Sequence, residues 1–152
     1  GTKLYAVARD RSSNRELRDT YKKYLRQTKR HAELLVGAIH KLGGNPDFVS
    51  PGAEIQKQRA QFMLNLEVVP ELREIQDAEN LLLAETKDHA DWEFLDKISS
   101  QVEDPKTQKI LRDIVSEVED QEDEHLDFTR KAVDQLVMKF ARSEMKKSGK
   151  AA

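Results

Sequence analysis

The chain has 152 residues, a formal net charge of −2 and no cysteine. This length suits one domain with a single core, and the lack of cysteine excludes disulfides, thiolate metal sites and cysteine nucleophiles. The small net charge gives no overall attraction to nucleic acid or membrane, and no apolar run approaches the ~20 residues of a membrane span. With 38% apolar and 36% charged residues, the composition is typical of amphipathic helices. We therefore expect a cytoplasmic protein that binds neither nucleic acid nor membrane.

The first two helices are separated by a short polar break. Residues 1–10 have the pattern of the end of a helix, so the first helix is expected to be incomplete. Ser13, with Glu16 three residues later, forms a capping-box pattern that predicts the start of the second helix. This helix is predicted to end at Leu42, because Gly43-Gly44 follows.

The next segment, residues 44–69, contains two prolines and has a modest helical pattern only over 53–64. A connection of this length in one domain needs a purpose. We interpret it as a crossover that runs along the molecule and contains a short helix.

The third helix is predicted from Pro70 to about Val102, since proline suits a first helical turn. Asp104-Pro105 then reads as an N-cap followed by proline, which starts a fourth helix that runs to about Arg142. Residues 1–142 would form one domain, and residues 143–152 would be a polar, disordered tail.

The fourth helix contains a stripe with steps of 4, 3, 4, 3, 4, 3 and 4, which keeps every position on one face. The ends of the stripe are apolar, but its middle holds a carboxylate and an imidazole three residues apart. Its members are Leu111, Val115, Val118, Glu122, His125, Thr129, Ala132 and Leu136. A charged group on a core-facing stripe is costly to bury without a partner, and an i, i+3 pair is the spacing that helical metal sites use.

The second helix repeats this stripe. A shift of 94 positions lays residues 17–42 on residues 111–136 with seven identities, among them Gln27 with Gln121 and His31 with His125. Two related helices in the two halves of a bundle would give such a repeat. Thr28 stands at the position equivalent to Glu122.

The third helix also interrupts its apolar stripe, here with Glu85 and His89. Polar groups on three core-facing stripes are expected to converge inside a bundle. Charge also differs between the two repeats: residues 22–30 carry five basic side chains and no acidic one, whereas residues 117–127 carry seven acidic side chains and no basic one. These are either two solvated faces or two faces that meet.

Together these features resemble the ferritin-like superfamily of di-iron carboxylate proteins, and in particular rubrerythrin-like domains and small bacterial stress-associated ferritin-like proteins. The resemblance covers about residues 1–142 and includes the segments at 30–35 and 42–46. It implies an all-α, antiparallel four-helix bundle with one long crossover.

In that family, the first and third helices each supply one Glu to the metals, and the second and fourth helices each supply Glu-x-x-His. By resemblance, Glu122 and His125 match the pair of the fourth helix, Glu85 the carboxylate of the third, and His31 the histidine of the second. Thr28 departs from the pattern, and a first-helix Glu would fall upstream of Gly1. The expected site is therefore incomplete, and a single or weakly bound metal is expected.

Each candidate also has a plainer interpretation. The histidines could be core residues hydrogen-bonded to Glu122, Tyr21 or Tyr24, and Glu122 could pair with a basic residue of the second helix. Glu85 could lie at the solvent edge. His89 is interpreted as a flanking group, and the aromatic residues Tyr21, Tyr24 and Trp92 as core.

Two functions follow as hypotheses. In the first, the protein binds Fe, Mn or Zn, the metals that carboxylate and imidazole ligands suit, and oxidises Fe(II) or consumes peroxide under stress. In the second, the bundle is a non-catalytic oligomerising or interaction module. A homo-oligomer is expected, and no phosphate loop or serine nucleophile motif supports other chemistry.

Overall fold

Five α-helices make up most of residues 1–148, the part of the chain that this computed structural model describes. They are α1 (Thr2–Arg11), α2 (Arg15–Lys41), α3 (Pro51–Asn65), α4 (Pro70–Gln101) and α5 (Pro105–Ser148). No β-strand occurs within the described residues. The predicted all-α class is confirmed, and α1, α2, α4 and α5 correspond to the four helices expected from the sequence, of which α1 is short, with 10 residues.

The break between α1 and α2 is capped by Asn14 and not by the predicted Ser13. The Asn14 side chain accepts hydrogen bonds from the backbone N–H groups of Glu16 (2.8 Å) and Leu17 (3.4 Å). The preceding serines are engaged elsewhere, since the Ser12 hydroxyl donates to Glu74 of α4 at 2.6 Å. The capping-box prediction was wrong because the Ser13 N–H, from which Glu16 was expected to accept a hydrogen bond, donates to Glu74 Oε1 at 3.1 Å.

The crossover contains the expected short helix, although α3 is longer than predicted. Gly43 follows α2 with φ of 75°, a left-handed conformation that glycine adopts without strain. Ser50 caps α3 by accepting a hydrogen bond from the Ala53 N–H at 3.1 Å. No residue of α3 is buried, so this helix lies on the outside of the molecule.

The α4–α5 connection follows the sequence prediction at Asp104, whose carboxylate accepts hydrogen bonds from the Thr107 N–H (2.8 Å) and hydroxyl (2.6 Å). The far end of α5 does not follow the prediction. The helix continues to Ser148, so residues 143–148 are helical where a disordered tail was expected. The rest of that predicted tail, residues 149–152, lies outside the described residues.

The core consists of two apolar clusters. One is centred on Tyr5, Tyr24 and Leu81 and involves α1, α2, α4 and α5; the other, around Trp92 and Val118, involves α2, α4 and α5. All eight members of the predicted α5 stripe are buried, so its orientation is confirmed. Among the described residues, no helix is both long and apolar enough to cross a membrane.

Candidate metal site

A polar layer separates the two apolar clusters. Glu85 enters it from α4, Glu122 and His125 enter from α5, and His31 enters from α2. Their exposed fractions are 1%, 1%, 0% and 3%. The structure therefore places all four residues predicted from the sequence side by side, and Glu85 does not lie at the solvent edge.

Three of these residues form a compact group of potential ligands. One ligand atom each from Glu85, Glu122 and His125 lies within 4.8 Å of the other two. His125 Nδ1 is 3.2 Å from Glu85 Oε2 and 3.8 Å from Glu122 Oε1. Two carboxylates and an imidazole at this separation form a set that a single divalent ion could bridge.

His31 lies next to this group and approaches the same oxygen of Glu122 as His125 does. Its Nδ1 atom is 2.7 Å from Glu122 Oε1, and its ring centroid is 5.8 Å from that of His125. Burial favours neutral imidazole, but Glu122 and Gln121 outweigh burial and raise the pKa of His31. Glu122 is thus paired with a histidine of α2, not with the lysine or arginine considered from the sequence.

Each histidine is also held by a glutamine of the opposite repeat. His31 Nε2 is 3.1 Å from Gln121 Oε1, and His125 Nε2 is 3.1 Å from Gln27 Oε1. Gln27 and Gln121 are equivalent under the 94-residue shift, so this exchange is what a pseudo-two-fold axis between α2 and α5 would generate. A neutral imidazole that donates from Nε2 to the Gln Oε1 atom would have its Nδ1 lone pair free to bind a metal ion.

Most polar atoms of the layer lack a hydrogen bond. Within residues 1–148, no donor or acceptor satisfies His31 Nδ1, His125 Nδ1, Glu85 Oε2, the Tyr5 hydroxyl or either oxygen of Glu122. The short distances from imidazole to carboxylate therefore lack hydrogen-bond geometry. Buried polar groups in proteins are generally satisfied, and leaving one unpaired costs about 1–3 kcal/mol, more for a charged group. A cation among these atoms would satisfy several of them at once.

Asp88 and Tyr5 border the layer and were missed by the sequence analysis. Burial, with the nearby Glu122 and Glu85, raises the pKa of Asp88 to about 7. Burial and Glu85 also raise the pKa of Tyr5, whose ring packs edge-on against His125 at 6.0 Å between centroids. Asp88 lies three residues after Glu85, so its i, i+3 spacing was the available signal.

The flanking residues lie as the sequence analysis interpreted them. His89 is outside the layer, and its Nε2 atom is 2.8 Å from Asp123 Oδ1. Tyr21, Tyr24 and Trp92 are buried. Tyr24 packs directly on His125, with 4.1 Å between ring centroids, and Trp92 lies edge-on to His31 at 6.0 Å.

Thr28 supplies no ligand to the layer in this structure. Its hydroxyl donates a hydrogen bond to the Tyr24 carbonyl one turn earlier, at 3.0 Å. The layer therefore has carboxylates from α4 and α5 but none from α2.

Two openings lead toward the layer. A cavity of about 630 Å³ between α1, α3 and α4 reaches Glu85 and Asp88 and has largely apolar walls that include Leu4, Phe62 and Met63. A smaller cleft of about 280 Å³ between α4 and α5 reaches Glu122.

Comparison with models of protein families, with curated protein sequences and with solved structures finds no match to this chain. The chemistry of the polar layer is therefore the evidence that bears on function.

Proposed function

We propose that this protein binds a divalent transition metal ion through Glu85, Glu122 and His125, with His31 as a further ligand. The observation that carries the proposal is the set of buried carboxylate and imidazole atoms that converge without hydrogen bonds. In known metal sites, ligating histidines commonly donate their second ring N–H to a fixed acceptor. Gln27 and Gln121 occupy that role here.

Protonated histidines are the competing explanation, since two imidazolium groups could neutralise Glu85 and Glu122. This explanation needs Nδ1–H groups that donate to the carboxylates. Neither His31 Nδ1 nor His125 Nδ1 makes a hydrogen bond within residues 1–148, despite separations of 2.7 and 3.2 Å from carboxylate oxygens. The raised pKa of His31 favours the protonated explanation, but the missing hydrogen bonds at both Nδ1 atoms favour coordination by their lone pairs.

Carboxylate and imidazole ligands suit Fe, Mn and Zn. We favour iron, because the stripes and the repeat resemble those of ferritin-like di-iron carboxylate proteins, and we propose that this chain has the same four-helix bundle. Bound iron would supply redox chemistry toward dioxygen or peroxide, which fits a role in a stress response. The chain's own residues would hold the ion and keep the layer dry between apolar clusters. With Thr28 in place of a carboxylate, we propose one tightly held ion rather than two.

The decisive experiment measures metal bound per chain. Protein stripped with a chelator would be equilibrated anaerobically with Fe(II), Mn(II) or Zn(II), separated from free metal and analysed. About one ion per chain is expected, and Glu122→Gln should remove it. Glu117→Gln, an exposed carboxylate on the same helix, is the matched control. Wild-type metal content in Glu122→Gln would refute the assigned site.

Redox activity is tested separately with the loaded protein. If the site turns over, Fe(II) should disappear faster in air or peroxide with wild type than with Glu122→Gln, as followed with a ferrous-specific chelator. Equal rates would show that the protein binds metal but lacks this redox activity.

A non-catalytic oligomerising module is the second candidate, and exposed apolar side chains favour it. Phe48, Phe62 and Phe94 are largely exposed in the single chain, and such residues are often covered at interfaces. Sedimentation velocity would reveal a homo-oligomer. Oligomers that form equally well with chelator present and show no metal uptake would support this candidate over the first.

A further inference from the structure

The cleft between α4 and α5 ends at Glu122, the most enclosed carboxylate of the layer. Glu122 is 1% exposed, both of its oxygens lack a hydrogen bond within residues 1–148, and it forms part of the cleft wall. Trp92 forms another part of the wall and packs against the His31 ring. The cleft thus leads from the protein surface to Glu122 of the proposed metal site and passes Trp92, the neighbour of His31.

The lining of this cleft is strongly acidic. The lining includes five carboxylates and one lysine, Lys97. The carboxylates are Glu93, Asp96, Glu119, Glu122 and Asp123. A cleft lined by charges of one sign focuses the electric field and raises the local concentration of counter-ions. The imidazole of His89 spans the rim from α4 to Asp123 of α5.

The larger cavity has a different character. Its three carboxylates, Glu85, Asp88 and Asp91, are accompanied by two basic residues, Arg59 and Lys87, and by apolar walls. Lys87 also pairs with Asp91. We therefore expect the larger cavity to attract cations less strongly than the acidic cleft.

We propose that the acidic cleft is the entry path by which a divalent cation reaches Glu122, with Glu119 and Asp123 drawing the ion inward past His89. This inference rests on the proposed metal binding and adds a route to it. Because these two carboxylates act on the approach of the ion, their loss should slow binding more than it weakens the final affinity.

The test is the rate of Co(II) uptake by the full chain after stopped-flow mixing. Trp92, the single tryptophan, lies in the cleft wall and reports arrival of the ion by fluorescence quenching, and the visible absorption of bound Co(II) gives an independent reading. The double variant Glu119→Gln/Asp123→Asn should bind at least about threefold more slowly than wild type at low ionic strength. The difference should shrink at ~0.15 M salt, where the Debye length is about 8 Å.

The matched control is Asp113→Asn/Asp127→Asn, which removes two exposed carboxylates from the same helix but outside the cleft. This control should bind at the wild-type rate. Equal slowing in both double variants would overturn the path, since it would show only an effect of net charge. Slowing in Asp91→Asn, at the larger cavity, without slowing in the cleft variant would also overturn it.

The two proposals fail in different ways. If wild type takes up no metal at equilibrium, the proposed function fails, and the entry path fails with it. If wild type binds Co(II) at equilibrium and the cleft variant matches wild type in rate, the metal site stands and only the path is wrong.

Discussion

Thr28 marks the difference between the two repeats, because it stands where the second repeat has Glu122. A carboxylate there would add a charged ligand from α2 to the layer. We expect Thr28→Glu to raise metal affinity by about tenfold, since affinity at carboxylate sites rises with the number of charged ligands. Competition with a chromophoric chelator measures this change. Thr28→Gln, of similar size but uncharged, is the control, and an equal gain in both variants would rule out a charge effect.

The raised pKa of Asp88 predicts a specific pH dependence of the stability of metal-free protein. Its pKa is raised from 3.8 to about 7 on folding, so between these pH values the native state holds a proton that the unfolded state has lost. Stability must then fall as pH rises through this window. We expect Asp88→Asn to raise the melting temperature by at least about 2 °C at pH 8, with little effect near pH 4.

Thermal melts in chelator across this pH range would measure the effect, and Asp91→Asn is the control for loss of one charge from α4. A difference between Asp88→Asn and wild type that stays constant from pH 4 to pH 8 would contradict the assignment.

Sequence patterns could reveal residues that interrupt a stripe, which is how Glu85, Glu122, His125 and His31 were found. They could not decide between Asp88, three residues after Glu85, and His89, four residues after it. Asp88 and His89 both lie on the same helix face as Glu85, and the sequence pattern assigned His89, not Asp88, to the stripe. The twist between packed helices decides which of the two turns inward, and only the tertiary structure contains that information.

The basic segment of α2 and the acidic segment of α5 meet within the chain at two ion pairs. Lys23 pairs with Glu124, and Arg30 with Glu117 at 3.0 Å. All four side chains are substantially exposed, so a small contribution is expected. A double-mutant cycle with Arg30→Ala and Glu117→Ala, measured by urea unfolding, should give a coupling energy of about 0.2–1 kcal/mol that decreases in 1 M NaCl. A coupling insensitive to salt would contradict a solvent-screened pair.

Helix α3 is expected to be the least protected of the helices. None of its residues is buried, and isolated helices of about 15 residues are marginal in water. Its amides should therefore exchange with solvent faster than those in the middle of α2 and α5, as measured by hydrogen–deuterium exchange. Protection equal to that of α5 would show that another surface covers α3.

Helix boundaries could be predicted where a single residue at the boundary has a strong local conformational preference. Pro70, Asp104 and Gly43 mark ends close to the observed ones, because proline, caps and left-handed glycine act locally. The end of α5 was predicted too early, since no glycine or proline occurs between Arg142 and Gly149 to stop the helix.

The sequence predicted the helical class and the buried face of α5 because hydrophobic periodicity indicates which face of a helix is buried. It could not predict the exchange of Gln27 and Gln121 between histidines. The 94-residue repeat identified the glutamines as equivalent, but their partners depend on how α2 and α5 face each other.

The polar layer also predicts how stability of the whole molecule responds to metal. Without metal, Glu122 is a buried carboxylate whose oxygens lack hydrogen bonds within residues 1–148. Glutamine has the same shape, carries no charge and can donate a hydrogen bond to His31 Nδ1. At pH 8, where repulsion among Glu85, Asp88 and Glu122 is greatest, Glu122→Gln should therefore stabilise metal-free protein by about 1–3 kcal/mol.

Saturating metal should reverse the order of the two proteins. An ion that binds only the folded state adds RT ln(1 + [L]/Kd), or about 4.1 kcal/mol at a thousandfold excess over Kd, which exceeds the variant's advantage of about 1–3 kcal/mol and corresponds to roughly 8–16 °C for a chain of this size. Wild type should gain this increment and Glu122→Gln should not, so their melting curves should exchange places between chelator and Mn(II) or Zn(II). His40→Ala, which changes an exposed residue outside the stripe, should follow wild type in both conditions. Melting curves that keep the same order and spacing with and without metal would show that Glu122 is a structural carboxylate rather than a ligand.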